Sequence, residues 1–226
     1  MTGVPLSAAP ASAAESVQGA SDHVITDILE VATREFATHG LAGARIEKIV
    51  QQTRTSKRMI YYHFGSKEGL YRAVIERAFE IAREVDRDFD PMVGTPEHAI
   101  RQIARNAFDA FTGSPAFVRL LTFENLAGAP FIQQSSHASR LNRLALADLE
   151  TVLHRGQAEG SIRQDIKALD VYINMVGLCY YHVAHQAAYR TAGFQPTAPA
   201  DPLGDTFDQQ RQRAIEDTCW RYVKAD

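Results

Sequence analysis

From about Asp22 to its last residues the chain places apolar side chains every three or four positions, and no stretch alternates apolar with polar. That spacing collects the apolar set on one stripe of an α-helix, whereas a half-buried strand needs a period of two. The chain is therefore read as all-α, with about nine helices separated by Gly, Pro and capping hydroxyls. A first helix is predicted from about Asp22 to His39, with Ile25, Ile28, Leu29, Ala32 and Phe36 inward and Gly40 as its stop. A short second helix follows at Arg45 to Gln52, then the turn Thr53-Arg54-Thr55. A third covers Lys57 to His63, capped by Ser56 or Thr55 and broken by Gly65. Ser66 caps a long fourth helix whose expected stripe is Leu70, Ala73, Val74, Arg77, Ile81 and Val85.

Further along, Thr95-Pro96 and Ser114-Pro115 each set a capping hydroxyl before a proline, the arrangement that starts a helix. They open a fifth helix carrying Ile100, Ile103, Ala107, Phe108 and Phe111, and a sixth over Pro115 to Leu126. A seventh is predicted from Ile132 to Glu159. An eighth, Leu169 to Tyr189, is apolar on nearly every side and is expected to be buried. A loop with Pro196, Pro199 and Pro202 leads to a last helix near Phe207 to Val223. The Ala-, Ser- and Pro-rich first twenty residues are expected to form a flexible tail and not a leader peptide. The expected division is thus tail 1–20, an N-terminal domain 21–75 and a C-terminal domain 76–226. No run approaches the roughly 18 consecutive apolar residues of a membrane span. Cys179 and Cys219 lie 40 positions apart without metal-type spacing. A cytoplasmic protein with no membrane partner and no cofactor is expected.

Charge is unevenly placed. Between Leu41 and Arg72 lie Arg45, Lys48, Arg54, Lys57, Arg58, Lys67 and Arg72, against only Glu47 and Glu68. That window carries +5 while the whole chain carries -3, so the rest carries -8. A short cationic patch on an acidic body attracts a polyanion at one face and repels it elsewhere.

The patch coincides with three short helices and a tight turn before the third, the arrangement that lays one helix in the major groove of DNA. In Lys57-Arg58-Met59-Ile60-Tyr61-Tyr62-His63-Phe64, Ile60 and Phe64 are four apart and should pack inward, while Lys57, Arg58, Tyr62 and His63 face out. Arg58 is suited to a guanine edge, and Lys57, Tyr62 and His63 to phosphate oxygens. Lys67, in the first turn of the fourth helix, opposes the helix dipole, which makes sense beside a phosphate. Core packing is the more ordinary reading for Tyr61 and Phe64.

The run from Ile46 through Thr55-Ser56-Lys57-Arg58-Met59-Ile60-Tyr61-Tyr62-His63-Phe64-Gly65-Ser66-Lys67-Glu68-Gly69-Leu70-Tyr71 resembles the DNA-binding domain of TetR-family transcriptional regulators. The resemblance covers about residues 22 to 75. It implies a helix-turn-helix domain joined through the long fourth helix to a helical-bundle domain that binds a small effector and forms a homodimer. The implied function is a repressor on a palindromic double-stranded operator, released by an effector, with the fourth helix as lever. On the matching positions it implies DNA contacts from Arg45, Thr55, Ser56, Lys57, Arg58, Met59, Tyr61, Tyr62, His63 and Lys67. Two positions depart from the family pattern: Arg54 and Arg58 stand where Gly is common. Arg54 is expected to hold a turn conformation at modest cost, and Arg58 adds a base reader.

For the effector, Phe108, Phe111, Phe123, Tyr172, Met175 and Tyr181 offer apolar wall on the later helices. Glu124, Asn174, His182 and His185 are the polar groups on otherwise apolar stretches. Each needs a partner if buried, and another side chain is the simpler one. His182 and His185 share a face, but no third metal ligand stands near them in sequence. The eighth and last helices, with Ile215, Cys219, Trp220 and Tyr222, are the candidate dimer surface. Three other readings stay open: an activator of the same type, a metal-assisted hydrolase built on the two histidines, and a helical module whose basic patch meets an acidic partner. No nucleophile motif or phosphate loop supports an enzyme.

Overall fold

The protein is seen in a computed structural model that describes residues 11–191 and 206–226, leaving out the side chains of residues 11–22 and of Arg190. The proline-bearing segment expected as a loop, with Pro196, Pro199 and Pro202, lies outside the described residues, as do the first ten residues of the expected tail.

Helices α1 (Ala11–Gly43), α2 (Ile46–Gln52), α3 (Lys57–Phe64) and α4 (Lys67–Arg83) come first. After them come α5 (Pro96–Gly113), α6 (Pro115–Leu126), α7 (Pro130–Gln134) and α8 (Ser136–Glu159). The last three are α9 (Ala168–Ala184), α10 (Gln186–Thr191) and α11 (Phe207–Val223). Among the described residues the sole β pairing is one bridge, Ile162 with Lys224, which pins the chain's end to the loop after α8. The chain divides into two compact units, up to Val74 and from Ile75, with the division inside α4.

In the first unit Ile28, Val31, Ala32, Phe36, Ile46, Ile49, Ile60, Leu70 and Tyr71 form the core. Phe36 and Tyr71 meet edge to face at 5.0 Å. α1 starts earlier than the sequence predicts because its Ala-rich opening favours helix. Its helical geometry stops at Gly40, the expected place: at φ 65 and ψ 177, a backbone region that side chains shun, the chain kinks there before a last turn to Gly43.

In the second unit α5 packs along α11 and α9, with α8 and α6 beside them. Charges tie α5 to α11: Arg105 forks onto Glu216 with both bonds at 2.9 Å, and Arg101 reaches Asp217 at 3.3 Å. Glu216 is only 5% exposed, so this fork neutralises a carboxylate that has almost no water.

Four details depart from the sequence reading. The predicted seventh helix is two helices, because Ser135 leaves helical geometry and its Oγ caps α8 by accepting from Ala138 N at 3.1 Å. The predicted eighth helix ends at Ala184, and α10 is separate. Only one face of α9 is buried, through Val171, Met175, Cys179, His182 and Val183; Leu169, Ile173 and Tyr181 are exposed. On α4, Ile75, Ala78, Phe79 and Ala82 are inward and Ile81 is exposed, because the buried stripe runs through Tyr71, Ile75, Ala78 and Ala82, one position round the helix from the predicted one; Val85, also exposed, lies in the 3-10 turn Glu84–Asp86.

Candidate functional site

Two places stand out, one in each unit. In the first, α3 is held by few contacts. Ile60 is fully buried beneath it, and Ser56 Oγ accepts the Met59 N–H at 3.3 Å at its start. Gly65 ends it, and Ser66 caps α4 by accepting from Gly69 N at 3.0 Å. The turn into α4 is so close that a Cβ on residue 69 would lie 2.0 Å from the Phe64 carbonyl oxygen, so only glycine fits. With the helix pinned on that side, Lys57, Arg58, Met59, Tyr61 and Tyr62 face solvent, Tyr62 at 78% exposure.

Tyr61 is a correction to the core reading: Ile60 takes the inward position, one residue and about 100° round the helix from it. Phe64, His63, Thr55 and Lys67 are half-buried, and Arg45 and Ser56 exposed. Ser56 Oγ is engaged as the cap, and Lys67 Nζ lies 3.5 Å from the Ala42 carbonyl. Lys57 Nζ is ion-paired with Glu47 on α2 and lies 5.9 Å over the Tyr61 ring. Their hydrogen bond holds the Glu47 carboxyl below its usual range and the Lys57 ammonium above it. Arg58 has no such partner among the described residues. Arg54 holds an ordinary negative φ, so the turn cost expected for it is absent.

In the second unit, α4 to α9 enclose a cavity of about 260 Å³. One end is aromatic: Phe79 meets Phe117 at 5.2 Å and Phe111 meets Phe117 at 5.7 Å, both edge to face. The other end is polar and lies about one turn along each of α4, α5 and α9. There Arg83 donates to Asp86 at 3.1 Å, to the Tyr172 hydroxyl at 3.0 Å and to Asn142 Oδ1 at 3.4 Å. Asn106 donates to Asp86 at 3.1 Å. Asp148 also faces this end; burial, then the nearby Asp86 charge, pushes its carboxyl above the ordinary aspartate range, against the pull of Arg83.

Of the residues singled out from sequence for an effector, Phe111, Tyr172 and Met175 line the cavity. The others lie elsewhere. Phe108 is buried and stacks on His182 at 5.2 Å. Phe123 is half-buried and off the wall. Glu124 accepts from Phe131 N and Ile132 N at 3.0 and 3.1 Å and so caps α7, whose preceding residue Ala129 has φ 57. His182, 1% exposed, shares a hydrogen bond with Asp208 at 2.9 Å, and its Nδ1 makes none among the described residues. His185 donates from Nδ1 to the Tyr181 carbonyl at 3.0 Å, its ring 3.9 Å from the exposed Tyr181 ring. Asn174 is exposed beside Ile173 and Tyr222 on the α9–α11 surface. Among the described residues no three His, Cys, Asp or Glu side chains gather as metal ligands, and no helix is long and apolar enough to cross a membrane.

Sequence reasoning missed Arg83, Asp86, Asn106, Asn142 and Asp148. One signal was present: on α8, Asn142, Ala145 and Asp148 follow at steps of three, a polar strip with a small residue at its centre.

Residues 28–74 match the profile described as "Bacterial regulatory proteins, tetR family", and residues 96–201 that of "Tetracyclin repressor-like, C-terminal domain". The transcriptional repressor NicS of Pseudomonas putida is 32% identical over 162 residues, spanning 72% of this chain and 76% of that one. The repressor SCO4008 of Streptomyces coelicolor is 27% identical over 84% of this chain and 93% of its own. Among solved structures, the transcriptional regulator SCO4942 of Streptomyces coelicolor aligns with TM-score 0.67 and 26% identity over 88% of this chain and 98% of that one.

Proposed function

The chain belongs to the TetR family of bacterial regulatory proteins and is a DNA-binding transcriptional repressor; from this we propose that it holds a palindromic operator as a homodimer and leaves it when a small effector enters the α4–α9 cavity. The observation that supports the reading most directly is α3. Its inward side is fixed by Ile60 and Ser56, and its outward side offers Arg58, Lys57 and Tyr62 to a groove. Arg58 reads a guanine edge through two hydrogen bonds, while Lys57, Tyr62, His63 and Lys67 take phosphates and set register.

The dimer forms on the exposed side of α9 and α11, where Leu169, Ile173, Tyr181 and Tyr222 present apolar surface that the other described residues leave uncovered. Two-fold pairing there sets two α3 helices on half-sites one helical turn apart, about 34–36 Å. An effector releases the operator only if it prefers a conformation that DNA does not. α4 supplies both Leu70 and Tyr71 to the first unit's core and Phe79 and Arg83 to the cavity wall, so it is the element to carry that preference.

The test is a gel shift with the DNA upstream of the protein's own gene, at two salt concentrations, beside size-exclusion light scattering of wild type and Ile173→Asp. Expected are a discrete complex that resists random competitor, weakens steeply with salt, and disappears with the dimer in Ile173→Asp. A complex equally strong with random DNA, or a monomeric variant that still binds specifically, defeats the reading.

A further inference from the structure

We propose that the effector is a small ring-bearing amine, bound as its cation with the charged nitrogen on the Asp148 carboxylate. The proposal rests on the reading of the α4–α9 cavity as the effector site and names the class of molecule it takes.

Charge comes first. The polar end holds one guanidinium and two carboxylates. Arg83 is already matched by Asp86 at 3.1 Å, and the second oxygen of Asp86 takes the Asn106 amide at 3.1 Å. Asp148 has no hydrogen-bond partner among the described residues, so one negative charge is left facing the space. A carboxylate ligand would have to take Arg83 from Asp86 and then lie beside two anions in a partly desolvated place. A cation neutralises the end without breaking any bond.

The hydrogen-bond inventory agrees. The Asn142 oxygen accepts from Arg83, and the Asn106 oxygen accepts from Gln102 at 2.7 Å. Tyr172 accepts from Arg83 and lies 3.5 Å from the Asn142 oxygen. What remains for a ligand is the acceptor pair of Asp148, the Asn142 amide N–H two steps back on α8, and the neutral side-chain amide of Asn125 on α6, so Asp148 carries the one unmatched charge. Ala145, between Asn142 and Asp148, leaves room for a molecule to lie against α8. Burial raises the Asp148 carboxyl, a cost that a bound cation relieves.

Shape sets the size. A cavity of roughly 150 Å³ takes benzene. At about 260 Å³ this one takes a substituted ring or two fused rings, with Phe79, Phe111 and Phe117 against the ring.

The test uses the full chain and three probes of one shape: 1-naphthylmethylamine, 1-naphthylmethanol and 1-naphthoic acid, at neutral pH. Binding is read by calorimetry and thermal shift, and operator release by fluorescence anisotropy in the same samples. The amine should bind about tenfold or more tighter than the alcohol, with the acid weakest. Asp148→Asn should bring the amine to within about threefold of the alcohol while leaving the alcohol's own affinity in place. The proposal is overturned if the acid binds tightest, if all three bind alike, if none binds, or if Asp148→Asn keeps the amine's advantage. An acid that binds tightest and still frees the operator defeats the ligand class alone. An amine that binds as expected while the operator complex stays intact defeats the release reading alone.

Discussion

Lys57 on α3 is ion-paired with Glu47 on α2, so a lysine well placed for a phosphate is already engaged before DNA arrives. Both side chains are exposed, and water weakens their attraction. A phosphate therefore competes with Glu47 for the ammonium, and the carboxylate stays behind as a nearby negative charge.

Glu47→Gln is expected to tighten operator binding about two- to fivefold and to steepen the salt dependence by up to about one unit of slope. Anisotropy titrations at several salt concentrations check this. An unchanged slope means that Lys57 does not meet a phosphate.

Arg58→Ala and Lys67→Ala should fail differently. Loss of Arg58 removes about 1–3 kcal/mol of discrimination at one base pair, so operator and mutated operator bind more alike. Loss of Lys67 weakens operator and random DNA by a similar factor. Competition assays with single-base operator variants separate the two, and equal losses on all DNAs for both variants would refute the roles.

Gly69→Ala places a methyl group against the Phe64 carbonyl, which neither side chain nor solvent can vacate. A cost of about 2–4 kcal/mol is expected, with loss of operator binding on warming before the second unit melts. Two-probe thermal denaturation, near-UV signal beside DNA binding, reads it. A variant as stable as wild type shows that the α3–α4 turn relaxes more easily than its geometry implies.

Arg105→Leu leaves the buried Glu216 carboxylate without its fork. Because Arg105 itself is half-exposed, about 2–3 kcal/mol of destabilisation is expected, less than for a fully enclosed pair. Adding Glu216→Leu should return stability to within about 1 kcal/mol of wild type. Urea denaturation of the three variants closes the cycle, and a double variant no better than Arg105→Leu alone would contradict it.

Asp148 keeps its proton to higher pH in the folded chain than in the unfolded one, because burial and Asp86 disfavour its charge. The folded state thus binds more protons above the ordinary value of 3.8, and its stability falls as pH rises through that window. Asp148→Asn should melt higher than wild type at neutral pH, with the gap closing as pH falls towards about 4. Thermal scans across pH measure the gap, and a constant difference would show that Asp148 is not desolvated.

Much of the fold is legible in the sequence because its signals are local. Ser56, Thr95 and Ser114 cap the helices they were expected to cap, and Gly65 ends α3 where its position says it should. The break at Ser135 was not legible, since a serine within a long apolar periodicity reads as an ordinary surface residue until its Oγ is seen on Ala138 N. The cavity's polar end was hidden for a different reason. Residues 83, 86, 106, 142, 148 and 172 are brought together by packing of four helices and a turn; Tyr172 was singled out from sequence and a step of three relates 142 to 148 on α8, but no sequence period relates the rest. Attention to polar residues on the most apolar helices instead found Glu124, His182 and His185, which bond to a helix N-terminus, to Asp208 and to Tyr181.

The side of α3 that holds and the side that reads are largely distinct: Ile60, Ser56 and the glycine at 69 secure the helix, while Arg58, Tyr61 and Tyr62 face solvent and Lys57 reaches α2 through its exposed ion pair with Glu47. Retargeting is therefore separable from folding. A library randomised at those four outward positions can be screened for new operators on a scaffold whose stability barely registers the changes, and losses in such a screen would report on DNA preference alone.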